Sequence, residues 1–267
     1  MPSLEQSPAL APPRRRVALW RQWLTAAVDL VFPPFCPICA DRLGPARRDP
    51  LCGPCWEGLE RITAPGCARC GLPFGEFAGD ARPAGGTDRS GGICGACRRH
   101  QPAFAYARAA AHYGDCARDA LHAFKFGGRR ALALPLGELL AELGPALPLA
   151  AVDVVVPVPL HPRRERERGF NQSWLLARRL AIVWGLTARA DVLARRVATA
   201  AQTDLGAAAR RLNVRDAFTV RRPELVAGRH VLLVDDVLTT GATAAACAVA
   251  LRSGGAATVG VVTVARA

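Results

Sequence analysis

Lysine is almost missing from this chain of 267 residues: 35 residues are basic, and only Lys125 is a lysine. Methionine occurs once, tyrosine twice, and aromatic residues make up 6% of the sequence. The few aromatics are not interleaved with the arginines, which weighs against an extended base-stacking platform for single-stranded nucleic acid. No apolar run reaches the roughly 18 residues of a membrane span. The best candidate, Val17 to Phe32, is broken by Arg21, Gln22 and Asp29 and reads as an amphipathic helix over about 17–31. A secretory leader is also missing: Met1 to Pro13 are rich in proline and alanine, Arg14, Arg15 and Arg16 come late, and no clean apolar core follows. A cytoplasmic protein without a membrane span is therefore expected. The Gly-Lys-Ser/Thr of a P-loop is not present, nor is the GxGxxG of a dinucleotide-binding sheet.

Acidic residues number 22, so the formal net charge is +13. An excess of this size points to an anionic partner, whether nucleic acid, membrane surface or phosphorylated small molecule. Two zinc ions held by eight thiolates would lower it to about +9, still basic.

Eight of the ten cysteines form four CxxC pairs: Cys36/Cys39, Cys52/Cys55, Cys67/Cys70 and Cys94/Cys97. Without an export signal this pattern means metal and not disulfides. A CxxC turn aims two sulfurs at one centre, and two such turns complete a tetrahedron that leaves no open position, so two structural Zn2+ sites are expected. Sequential pairing of neighbouring turns is favoured over interleaved pairing, but spacing alone leaves both open. Cys116 and Cys247 lie outside the pattern and read as ordinary buried cysteines.

Composition changes near residue 100. The chain divides into a tail and helix at 1–32, a cysteine module at 33–100 and an α/β domain at 104–267. Phe77 to Gly92, rich in glycine, alanine and aspartate, reads as a mobile insert. In the second part strands are expected at Phe104–Tyr113, Val152–Val156, Val231–Val234 and Thr258–Val264, and helices at Leu134–Leu143, Ser173–Trp184 and Gly241–Arg252. Pro157 and Pro159 are expected to stop the second strand. On the second helix Leu176, Leu180 and Val183 are expected on one side, with Ala177, Ala181 and Trp184 beside them. The alternation predicts a mainly parallel sheet with helices on both faces.

The most informative stretch is Val231-Leu-Leu-Val-Asp235-Asp236-Val-Leu-Thr239-Thr240-Gly241-Ala242-Thr243. An apolar strand delivers two carboxylates, then a short loop leads into a helix. Ligands of open α/β sheets sit at this edge. Loop amides and a helix N-terminus favour a phosphate dianion. Thr239, Thr240 and Thr243 can donate hydroxyls, and Gly241 allows close approach. Asp235 and Asp236 can accept from neighbouring sugar hydroxyls or reach Mg2+ through water. A diol plus a terminal phosphate describes a ribose 5-phosphate. A second segment, Val154 to His161 followed by Arg163, Arg164 and Arg168, reads as a strand end with a flexible arginine-bearing segment able to clamp pyrophosphate. A solvated charged turn is the plainer alternative. Lys125, between two phenylalanines and ahead of two glycines, reads either as a compact cation entering a closed site or as chance.

The thirteen-residue stretch resembles the 5-phosphoribosyl-1-pyrophosphate (PRPP) motif of type I phosphoribosyltransferases. With the doubled zinc ribbon, Phe124-Lys125-Phe126, Pro157-Val-Pro-Leu, Arg168-Gly-Phe-Asn-Gln172, Gln202, Arg210 and Asn213, residues 33–267 resemble the ComF family of competence and GntX-like proteins. The Cys70–Cys94 spacer is long for that family. The resemblance implies a type I phosphoribosyltransferase-like α/β sheet behind a double zinc ribbon, PRPP with Mg2+ as ligand, and a link to single-stranded DNA uptake and competence-machinery proteins. It also implies roles. Asp235 and Asp236 would hold the ribose hydroxyls, residues 239–243, Ala242 included, the 5′-phosphate, and Lys125, Arg163, Arg164 and Arg168 the pyrophosphate. Two functions stay open: a phosphoribosyltransferase releasing pyrophosphate, or a non-catalytic PRPP-sensing or single-stranded-DNA-binding competence factor.

Overall fold

The computed structural model describes residues 34–43, 50–63, 65–74, 92–196 and 217–267. The expected helix at 17–31, the insert at Phe77–Gly92 up to residue 91, and Gln202, Arg210 and Asn213 lie outside them.

The α/β part is a four-stranded parallel sheet in the order β1-β6-β5-β2. Its strands are β1 (Tyr106–His112), β2 (Val154–Pro157), β5 (His230–Leu238) and β6 (Thr258–Arg266), with a separate antiparallel pair β3 (Leu193–Arg195) and β4 (Phe218–Val220). The cysteine module carries the short helices α1 (Gly53–Glu57) and α2 (Gly95–Arg99). Among the described residues five more α-helices follow: α3 (Asp115–Phe126), α4 (Ala133–Ala141), α5 (Pro162–Arg168), α6 (Gln172–Trp184) and α7 (Ala242–Ser253). On one face Leu232, Val234 and Val262 pack with Phe124 of α3, Leu136 and Leu140 of α4, and Leu176 and Leu180 of α6. On the other, Val231, Leu233 and Val261 pack with Cys247 and Leu251 of α7 and with the β3–β4 pair. Helices thus cover both faces, as the near-continuous apolar strands require.

Several boundaries differ from expectation for physical reasons. β5 does not end at Val234. It continues through both aspartates because β6 offers partners as far as Leu238↔Arg266, and this pairing overrides the poor strand preference of aspartate. Pro157 does not stop β2; it is the strand's last residue, and Val158 N still donates to Val234 O at 2.9 Å. The amides of 154, 156 and 158 face β5, while Val155 N turns outward to Thr187 O. The missing amide of Pro157 therefore falls on the outer edge, where it costs no ladder bond. On α6 the buried stripe runs through Leu176, Ala177, Leu180 and Ala181, whereas Val183 lies off it and is exposed. Cys247 is buried as expected, while Cys116 is only partly so.

The cysteine module covers the edge strand β1. Ala107 N donates to Arg69 O at 2.6 Å, His112 N to Glu60 O at 2.8 Å, and Ile62 N to Ala110 O at 3.0 Å. These bonds occupy an edge that would otherwise invite pairing with another chain.

Gly260 on β6 lies opposite Tyr106 of β1, and any Cβ there would run into the Tyr106 ring. That ring is fixed from its far end, its hydroxyl being 3.1 Å from His230 Nε2. Gly260→Ala is expected to cost about 1–3 kcal/mol in overpacking, measured by denaturant unfolding; an unchanged midpoint would show that the tyrosine yields freely.

Candidate ribose-phosphate site and zinc centres

The thiols of Cys36, Cys39, Cys52 and Cys55 form one cluster and those of Cys67, Cys70, Cys94 and Cys97 another, with the sulfurs of each within 4.8 Å of one another. Pairing is sequential. Cys39 and Cys52 sulfurs are 3.6 Å apart, and those of Cys70 and Cys94 3.8 Å. A tetrahedron with zinc–sulfur bonds of about 2.3 Å has edges of about 3.8 Å, so both clusters fit Zn2+. The amides of Cys70 and Cys94 donate to Cys67 Sγ, as they would to a thiolate. A hydrogen bond from the Cys70 thiol holds Cys67 down at about 4, while the same contact and burial push Cys70 up. Four crowded sulfurs of this kind are stabilised by a cation that lets all of them ionise.

At the far end of β5 the alternation of a strand sends Asp235 and Asp236 to opposite faces of the sheet. Asp235 Oδ1 accepts from Ser173 Oγ at the start of α6 and from the Asp236 amide, each at 2.9 Å. Burial, reinforced by the neighbouring Asp236 charge, pushes the Asp235 carboxyl up to about 7, against the pull of Lys125. Asp236 is buried, and its Oδ2 lies 3.0 Å from Lys125 Nζ. The contact is an ion pair and not a well-aligned hydrogen bond, so Oδ2 retains accepting capacity.

Lys125 comes from the last turn of α3, a helix that was not expected. The loop after β5 places Thr239 and Thr240 in the open. Gly241 has φ of 76°, the left-handed conformation that favours glycine, and caps α7. Thr240 Oγ1 accepts from Ala242 N at 3.4 Å, and Thr243 sits half-buried in the first turn. Segment 239–243 therefore forms a loop and helix start beyond the two carboxylates, exposed at Thr239 and Thr240 and half-buried from Gly241 to Thr243.

The arginine-bearing segment is not a flexible loop or a charged turn. It is the helix α5, with Pro162 at its first position, the His161 ring accepting from Arg163 N, and left-handed Gly169 at its end. Both terminal signals were present in the sequence. A cavity of about 380 Å³ lies between α3 and α5, lined by Lys125, Phe126, Gly128, Arg164, Glu167 and Arg168. Arg168 is held over it by Gln172 Oε1 at 2.5 Å and by the Phe126 ring at 5.1 Å. Burial lowers the Arg168 pKa, partly offset by Asp236. Arg163 is not drawn in; it points outward and pairs with Glu167 at 2.8 Å. Sequence reasoning missed Ser173, Gln172 and Phe126 as members of this neighbourhood. The last two were within motifs already singled out; Ser173, one residue beyond Asn171-Gln172, carried no signal of its own.

A double zinc ribbon domain model matches residues 27–98 and a phosphoribosyl transferase domain model matches residues 173–267. The chain is 35% identical over 216 residues to DNA utilization protein YhgH of Salmonella typhi, covering 78% of this chain and 87% of that one. The chain belongs to the ComF family. A second ComF relative, the YhgH protein of Escherichia coli K12, is 35% identical over 72% of this chain and 80% of its own. Competence protein F of Haemophilus influenzae is 29% identical over the same shares. Among solved structures, an adenine phosphoribosyltransferase gives a TM-score of 0.33, with 20% identity over 52% of this chain and 69% of that one. The two matched domain models give this ComF chain a phosphoribosyltransferase fold behind an N-terminal double zinc ribbon. No helix among its described residues is long and apolar enough to cross a membrane.

Two measurements check this geometry. The purified protein should carry two zinc ions, and Cys67→Ser should reduce the count to one; a count still near two would remove Cys67 from the ligand set. A carboxyl raised on folding stabilises fully below its ordinary range, and that contribution fades as pH climbs through about 7. The Tm of Asp235→Asn relative to the parent should therefore rise between pH 5 and pH 8. A difference independent of pH would contradict the raised pKa.

Proposed function

We propose that the protein binds PRPP with Mg2+ at the C-terminal end of β5 and transfers its ribose 5-phosphate group to an acceptor, releasing pyrophosphate, in the service of DNA uptake. The observation that carries this reading is the adjacency of three elements: a carboxylate pair within the central strand, an open loop at a helix N-terminus, and a cationic cavity beside them. The phosphate would rest on the amides and hydroxyls of 239–243. The ribose hydroxyls would donate to Asp235 and to the spare capacity of Asp236 Oδ2. This hard-oxygen donor set also suits Mg2+, which keeps most of its waters and supplies charge neutralisation to a pyrophosphate.

In the transfer, the bond between the anomeric carbon and the pyrophosphate oxygen breaks with its electron pair leaving on pyrophosphate. The acceptor's lone pair forms the new bond, and the acceptor gives up a proton. Lys125, Arg164 and Arg168 line the cavity where the leaving charge would develop, and they act by electrostatics and positioning, without a covalent intermediate. Lys125 would exchange Asp236 for pyrophosphate as the ligand arrives. Arg163 would have to turn inward to contribute.

A non-catalytic reading keeps the same PRPP site as a sensor and gives single-stranded DNA a separate cleft of about 460 Å³, whose lining includes His161, Arg195, Arg196 and Arg221 and suits an anion. The two readings part in one experiment. Calorimetry with Mg2+ should give PRPP binding that Asp235→Asn/Asp236→Asn abolishes. Pyrophosphate release across a panel of nucleobases and oligonucleotides should then appear with at least one acceptor and fall at least about tenfold in Lys125→Met. Binding without release from any acceptor supports the sensing reading, and no PRPP binding by the parent protein overturns both.

A further inference from the structure

A third cavity, of about 340 Å³, lies in the seam between the second cysteine cluster and the phosphate loop. Its volume is at the lower end of the roughly 300–1,000 Å³ typical of small-molecule sites. One wall is Thr240, Gly241 and Ala242, the same loop read above as the phosphate cradle. The opposite wall is the ribbon, with Ala96, Gln101 and Cys70, Cys94 and Cys97 of the second cysteine cluster. Phe104 and Leu238 supply apolar surface between them, and the Phe104 ring comes within 3.9 Å of where a Gly241 side chain would begin. Arg266 also lines the cavity. Its guanidinium is spent on the ribbon, Nη1 donating to Cys70 O at 2.7 Å and Nη2 lying 3.8 Å from Cys70 Sγ. A largely apolar slot with one amide side chain, that of Gln101, suits a flat heterocycle bearing carbonyl or ring-nitrogen acceptors.

The position of the cavity decides what that heterocycle is attached to. Neither Asp235 nor Asp236 lines it, and Lys125 and Arg168 border the other cavity. An occupant would therefore adjoin the phosphate side of a bound ribose 5-phosphate and not its anomeric carbon. A site for a terminal phosphate alone needs no such space behind it. We infer that the seam cavity is a subsite for the base of a nucleoside esterified to the phosphate in the 239–243 loop. The site then accepts a ribose phosphate unit as part of a nucleotide chain, with the preceding base seated between ribbon and loop. This inference rests on the reading of that loop as phosphate-binding.

The test uses the full-length, zinc-loaded protein and three probes that share ribose and phosphate: ribose 5-phosphate, its methyl ester, and the diester joining O5′ of ribose to the 3′-phosphate of thymidine. The thymidine diester should bind about tenfold tighter than the methyl ester, the gain expected for seating one base. Ala96→Phe fills the cavity from the exposed side of the ribbon, and Ala245→Leu fills it from α7. Each should erase the gain while leaving methyl ester affinity, zinc content and circular dichroism unchanged. Equal binding of the two esters by the parent protein, or a gain that survives both substitutions, overturns the subsite while leaving the phosphate loop standing. Failure of all three probes to bind the parent overturns the loop reading, and the subsite with it.

Discussion

Two carboxylates at the end of a buried central strand are the constraint around which the rest of the α/β part is organised. β6 supplies the backbone pairing that carries β5 past Val234, so the acids are held by a ladder and not by a loop. Each then needs its own compensation. Ser173 at the start of α6 hydrogen-bonds Asp235, and Lys125 at the end of α3 faces Asp236. Charges this close and this poorly solvated are expensive unless paired.

The same arrangement explains why the chain's sole lysine stands where it does. A guanidinium is wide, planar and reaches in a fork, whereas an ammonium is a point charge on a thin stem. Lys125 reaches a mostly buried oxygen between Phe124, which is part of the core, and Phe126, which is exposed. Arg168 occupies the neighbouring, wider space and stacks on the Phe126 ring. The two cations divide the crevice by shape.

Much of this was legible in the sequence because it is local. The CxxC turns announce their metal through spacing, and the run from Val231 to Thr243 announces a strand, a loop and a helix through hydropathy and glycine. What was not legible depended on partners far along the chain. The extension of β5 depends on Thr263, Ala265 and Arg266, and the tolerance of Pro157 depends on β2 being an edge. Val183 was misjudged because a helix stripe is centred by the surface it meets and not by apolar character alone. α5 is the instructive miss: Pro162 and Gly169 bracket a helix, but the density of charge between them drew attention to chemistry and away from its terminal residues. Sequential pairing of the cysteine turns, favoured but left open by spacing, is fixed by the sulfur positions, Cys39 beside Cys52 and Cys70 beside Cys94.

The bonds that tie Arg69 and Glu60 to β1 have a consequence for the metal-free chain. Their geometry is set by loops that the cysteine clusters hold in shape, so stripping zinc would loosen a cover and not merely a neighbour. Beneath that cover is a seven-residue strand whose outward amides and carbonyls would lose their partners along one side. Such a rim pairs readily with the same rim on another molecule. Zinc depletion would then show itself first as self-association through β1, with the helices and the central strands still folded.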